Sequence, residues 1–130
     1  MTRRESAIYA LIGFGVWLSG AVLFRLGGAL IFESGPLVLL ASALGVALSV
    51  CFLLKATMDW RRADPADAVT IAVVMGLPGL LGDVAYILAF HQITGLSAVT
   101  AGPYAALIIF GNAALLGFAL WRARGNRPAP

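Results

Sequence analysis

Polar and charged positions divide this chain into four long apolar runs, at about residues 7–27, 36–55, 67–91 and 103–121. A helix needs about 20 mostly apolar residues to cross a hydrocarbon core roughly 30 Å thick. Each run meets that length or falls slightly short of it. The pattern predicts an all-α protein, a four-transmembrane-helix bundle, with residues 1–130 forming a single integral membrane domain. The polar intervals supply starts and stops. Ser6 is a candidate N-cap for span 1, and Gly27-Gly28 offers a place for that helix to end. Ser34-Gly35-Pro36 restarts the chain as span 2, because proline suits a first helical turn. In DWRRADPAD, Asp64 is the expected cap of span 3, Pro65 occupies its first turn, and Asp67 complements the positive end of the helix dipole. Span 3 carries Gly76-Leu77-Pro78-Gly79 in its interior. Pro78 cannot donate to the carbonyl four residues back, so a Pro-kinked third helix is expected. LSAVTAG precedes Pro103 as an outer loop or an extra turn of span 4.

Composition agrees. With 61% hydrophobic and 12% charged residues, the chain is far from a soluble domain, in which about 25% of residues are charged. The loops left between the spans are too short for an extramembrane active site. Met1-Thr2-Arg3-Arg4 ahead of an apolar run has the polarity of a secretory signal. The run is longer than a signal's apolar core of roughly 7–15 residues and is read as span 1.

Charge orients the bundle. Eight of the nine basic residues flank the spans on one side: Arg3 and Arg4, then Lys55, Arg61 and Arg62, then Arg122, Arg124 and Arg127. Only Arg25 is left for the other side. That bias marks the face carrying both termini as cytoplasmic, in a bacterial plasma membrane. Tyr9, Trp60 and Trp121 are expected as an aromatic belt on that face. The formal charge of +3 reads as orientation signal and contact with anionic headgroups, so the bilayer is the expected partner and nucleic acid is not. The lone Cys51 permits no internal disulfide, and there is no zinc set. No cofactor is expected.

Span 2 carries two ladders of small residues, Ala41/Gly45/Ser49 and Ala43/Ala47/Cys51, which predict close helix contacts. Gly111 and Gly117 are expected to do the same in span 4. In span 3, Gly76, Gly79 and Asp83 share one helical face, with Pro78 beside them and with Tyr86 and Phe90 continuing the stripe. Asp83 is the single acid inside a span. A charged Asp deep in lipid costs at least about 2.5–3.5 kcal/mol on insertion scales, so it should face protein, water or a partner charge. Helical rise places Asp83 roughly 22 Å and Arg25 roughly 27 Å from the inner boundary, heights that an arginine side chain can bridge.

Three arrangements follow. Arg25 and Asp83 form a structural pair locking spans 1 and 3; or Asp83 is a proton- or cation-binding carboxylate; or Arg25 snorkels outward and Asp83 bonds to Tyr86, Tyr104 or a backbone carbonyl. His91 could pass protons to Asp83 but reads more readily as an interfacial, solvated residue. Asn112 reads as an interhelical hydrogen bond rather than a ligand group, and mid-span Trp17 as packing. Glu33 and Ser34 belong to the outer loop. Intramembrane aspartyl chemistry needs two carboxyls sharing a site, and one is present. An enzyme is not expected.

GVWLSGAVLFRLGG, VMGLPGLLGDVAYILAF and SAVTAGPYAALIIFGNAALL together resemble a bacterial family of small four-span membrane proteins catalogued as a domain of unknown function. Phe24-Arg25-x-Gly27 and Pro78-Gly79-x-x-x-Asp83 carry most of the likeness. That family tends to place a Pro-Asn turn between spans 3 and 4, where this chain has Gln92-Ile93-Thr94-Gly95. The resemblance implies no activity; it implies that Arg25 and Asp83 belong to a shared pattern. Small multidrug-resistance transporters are similar in size and span count. Their acid lies in span 1 and their charge bias is weak, and this chain is not read as one of them. The expected function is that of an interaction or accessory membrane protein with a structural Arg25–Asp83 pair, in a homodimer or larger complex. The alternative is a small proton- or cation-coupled carrier or channel using Asp83.

Overall fold

The computed structural model describes residues 1–125 as an antiparallel bundle. Its helices are α1 (Arg3–Phe32), α2 (Pro36–Arg61), α3 (Ala68–Leu88), the short α4 (Phe90–Thr94) and α5 (Ala101–Arg124), with single 3-10 turns at Pro65–Asp67 and Ala98–Thr100. The four long helices are each long and apolar enough to cross a membrane, and the protein is a multi-pass membrane protein. Arg127 and the 128–130 tail lie outside the described residues.

The helices run further than the apolar runs suggest. Span 1 starts at Thr2, not Ser6: the Thr2 hydroxyl accepts from the Glu5 amide while the Glu5 carboxylate accepts from the Thr2 amide. This reciprocal capping box satisfies two amide donors at once, and Ser6 only bonds back to the Thr2 carbonyl. At its other end α1 passes through Gly27-Gly28 and stops at Phe32. Its 30 residues span about 45 Å at ~1.5 Å per residue, more than the hydrocarbon core, so its ends reach the headgroup layers. Gly35, with φ 104°, turns the chain into Pro36, a backbone conformation that glycine adopts without steric cost. Asp64 caps the next turn through the Ala66 amide, as its position before Pro65 predicts.

α3 continues through Pro78 to Leu88. The proline withdraws the amide that would bond the Val74 carbonyl, yet the interruption of the segment lies eleven residues later, where Ala89 leaves helical geometry (φ −106°, ψ 23°) and α4 begins. Span 3 is thus two helices rather than one over 67–91.

Packing links the helices in the order α1–α3–α5–α2, with α1 and α2 meeting little. Two cores result. One, toward the face that carries both termini, gathers Tyr9, Leu54, Met58, Ile71, Met75 and Leu115. The other, toward the far face, is aromatic: Phe24, Phe32, Tyr86, Phe90 and Tyr104, with Tyr86 and Tyr104 stacked at 5.0 Å. Tyr9 is therefore core and not belt, whereas Trp60 and Trp121 are exposed as expected. Leucines such as Leu26, Leu37 and Leu88 point outward, where lipid solvates them.

Close approach depends on particular small residues. A Cβ on Gly13 would run into the Met75 backbone carbonyl, so α1 and α3 touch main chain to main chain there. Gly111 leaves room for Val46, 3.1 Å from where its Cβ would sit. The Ala43/Ala47/Cys51 ladder faces α5, and the Cys51 thiol donates to the Ala114 carbonyl at 3.6 Å. The other ladder and Gly117 do not pack: Ala41, Gly45 and Ser49 are exposed, and a Cβ on Gly45 or Gly117 would meet nothing within 4 Å. At the terminal face, Asp59 binds Lys55 at 2.5 Å and Arg122 at 2.9 Å, tying α2 to α5.

Candidate functional site

Asp83 is 95% removed from the surface, at 5% exposure, and its environment is built by α1 and α5. The Trp17 indole Nε1 donates to Asp83 Oδ1 at 2.9 Å, and the Tyr104 hydroxyl donates to the same oxygen at 2.7 Å. The Trp17 indole reaches it because α3 has no side chain in the way. A Cβ on Gly82 would stand 2.5 Å from the indole Cζ2, and one on Gly79 would stand 3.4 Å from its Cδ1. These two glycines form the notch that receives the ring, and the ring carries the donor. Tyr104 is fixed in turn by edge contacts with Phe24 and Phe32 and by stacking on Tyr86.

Both donors address one oxygen. Oδ2 accepts no hydrogen bond among the described residues, and it is not among their sealed, unpartnered atoms. It belongs to a residue that lines a cavity of ≈480 Å³. The cavity is walled by α1, α2, α3 and α5, among them Gly20, Gly45, Val46, Leu80 and Ile108. A pocket of roughly 300–1,000 Å³ is the size that takes a small organic molecule. Both α1 and α2 wall the cavity, and in the ring of four they are the adjacent pair that packs least closely. The cavity explains two residues of the unpacked ladder on α2: Gly45 and Ser49 are wall, and their smallness leaves space rather than contact.

The expected Arg25–Asp83 ion pair does not form. The salt bridges among the described residues are those of Asp59 with Lys55 and Arg122. Arg25 is exposed and donates instead to the Thr94 carbonyl at 3.2 Å. That carbonyl is one of the unsatisfied acceptors at the end of α4, a natural partner for a cation. The reason is the break at Ala89, which brings the end of α4 beside α1 in place of a continuous helix.

The other sequence candidates divide. Gly76, Gly79, Asp83, Tyr104 and Asn112 all border the cavity. Asn112 does not bridge helices; its Nδ2 donates to Ile108 of its own helix at 2.9 Å, while its Oδ1 lies 3.5 Å from the Cβ position of Gly76. Tyr86 bonds the Ala21 carbonyl at 3.3 Å rather than Asp83. His91 is exposed, with Nδ1 2.7 Å from the Leu96 carbonyl, and does not line the cavity. Pro78 is absent from the cavity wall. Trp17 and Gly82 carry more of the site than the sequence reading gives them. The signal for Trp17 was available: an indole N–H in mid-membrane needs an acceptor.

A family model described as a family of unknown function, DUF5367, matches residues 30–125. The chain belongs to that family. The matched region holds Asp83, Tyr104 and Asn112, whereas Trp17 and the Phe24-Arg25-x-Gly27 motif precede it. No curated protein and no solved structure matches the chain.

Proposed function

We propose that this protein is a small carrier that binds a proton or a cationic solute at Asp83, within a four-helix groove that one chain completes. The observation that supports this reading is the asymmetry of the carboxyl: Oδ1 is held by Trp17 and Tyr104, whereas Oδ2 is without a partner among the described residues, on a side chain that lines the cavity. A purely structural carboxyl buried in lipid would have both oxygens engaged, because unsatisfied polar groups there cost several kcal/mol. The absence of the Arg25 pair removes the main support for an accessory protein built around that pair. The positive-inside bias of the flanking Lys and Arg supports a plasma-membrane location with both termini cytoplasmic. No catalytic chemistry is proposed.

The test is dissipation of a pH gradient. Proteoliposomes carrying a trapped pH dye and an acidic interior are challenged in turn with sodium, potassium and organic ammonium salts. The carrier reading expects at least one cation to collapse the gradient faster through wild-type protein than through Asp83→Asn. Equal rates for the two proteins with every cation would contradict it.

A further inference from the structure

We infer that the cation bound at Asp83 is organic, with a bulky apolar body carrying a single positive charge, and that it enters the groove sideways between α1 and α2. This rests on the carrier reading above and narrows it to a substrate class. The charge assignment follows from complementarity. Among the residues that line the cavity, Asp83 is the sole carboxylate, and no Lys, Arg or His lines it with Asp83. A small inorganic cation is poorly served, because it needs several oxygen ligands in a closed shell. Here Oδ2 is the one carboxylate oxygen left over. The amide oxygen of Asn112 stands opposite Gly76, two helical turns from Asp83 and so about 10 Å away along α3 at ~1.5 Å per residue, too far to share an ion with Oδ2. No group of three or more His, Cys, Asp or Glu residues stands together among the described residues.

The rest of the wall suits hydrocarbon and aromatic surface. Val16, Leu53, Met75, Leu80, Ile108 and Leu115 are among its apolar lining. Trp17 and Tyr104 stand next to the carboxyl, and aromatic faces attract organic cations. A body of this kind partitions into lipid before it reaches the protein, and the loose packing of α1 against α2, both of which wall the groove, is where it would enter. The three parts of the site thus agree: one negative group, an apolar volume, and access from the membrane.

Tetraphenylphosphonium is the probe, and tetraphenylborate, of the same shape and opposite charge, is its control. Each is added separately to protein in lipid nanodiscs, and retention is compared with nanodiscs holding Asp83→Asn, which corrects for partition into lipid. The inference expects saturable one-to-one binding of the phosphonium, reduced at least tenfold by Asp83→Asn, and equal retention of the borate by the two proteins. Gly45→Leu, which fills the groove where a Cβ meets nothing within 4 Å, should abolish binding while the protein remains folded by circular dichroism. Tetramethylammonium at equal concentration should not compete. Three results would overturn the inference: equal phosphonium binding by wild type and Asp83→Asn, saturable binding of the borate to wild type, or displacement of the phosphonium by tetramethylammonium. If sodium collapses a pH gradient through Asp83 while the phosphonium fails to bind, the carrier stands and the organic substrate class falls.

Discussion

At the scale of single residues, the weight falls on what holds Asp83. Asn at position 83 retains an oxygen that can accept from both Trp17 and Tyr104, so the exchange removes the charge and keeps the frame. Asp83→Asn should therefore lower the thermal midpoint in detergent by only a few degrees. Asp83→Ala orphans two buried donors, each costing about 1–3 kcal/mol, and should unfold well before it. A differential scanning measurement on both variants checks the order. Similar losses in the two would mean that the charge itself holds the fold. The burial of Asp83 was legible in the sequence, as the single acid within a span. Its partners were not, because indole and hydroxyl donors carry no charge to mark them and the helix rotations that aim them are set by packing. Arg25 shows the converse. Matching heights suggested a pair, but height says nothing of the side of the helix, and a nearby free carbonyl at Thr94 takes the guanidinium instead.

Element boundaries follow local chemistry where that chemistry is strong. Asp64-Pro65 and Gly35-Pro36 start helices as their residue types dictate. The interruption at Ala89 has no glycine or proline to announce it, and Pro78, which looks like a breaker, sits inside a continuous helix. Glycines in the four long helices divide by what stands opposite them. Gly13 faces the Met75 carbonyl, whereas Gly15 faces open space. Gly13→Ala should force α1 off α3 and lower stability by more than about 1–3 kcal/mol, since backbone cannot yield as a side chain does. Gly15→Ala should be neutral or slightly stabilising through helix propensity. Parallel thermal melts of the two variants decide this, and equal effects would argue against the α1–α3 contact. Gly82→Ala is expected to displace the Trp17 ring. In a background lacking Trp60 and Trp121, the emission of Trp17 should shift toward the blue as its indole N–H loses the Asp83 carboxyl within an apolar surround. Unchanged emission would contradict the notch.

The whole molecule was legible as four spans because hydropathy and length decide that directly in lipid. Packing order was not, since helices that are apolar all round give no stripe to indicate a neighbour. The chain α1–α3–α5–α2 leaves α1 and α2 little packed against each other, and all four helices wall the cavity. Small residues on α2 read as contact points from sequence, yet in the bundle Gly45 and Ser49 are wall. The Lys and Arg bias also acts at this scale. On the proposed orientation, an alkaline phosphatase fused after residue 125 should be inactive in a bacterial host, whereas a fusion in the 33–35 loop should be active. The reverse pattern would invert the bundle.

The central claim is that one oxygen of a buried carboxyl opens on a groove reachable from lipid. Dicyclohexylcarbodiimide, an apolar reagent that modifies intramembrane carboxyls, measures this most directly on protein in native membranes. Intact-mass and peptide analysis should show one adduct, on Asp83, missing from Asp83→Asn and suppressed in Gly45→Leu. A wild-type protein left unmodified at Asp83 after prolonged exposure would contradict the account.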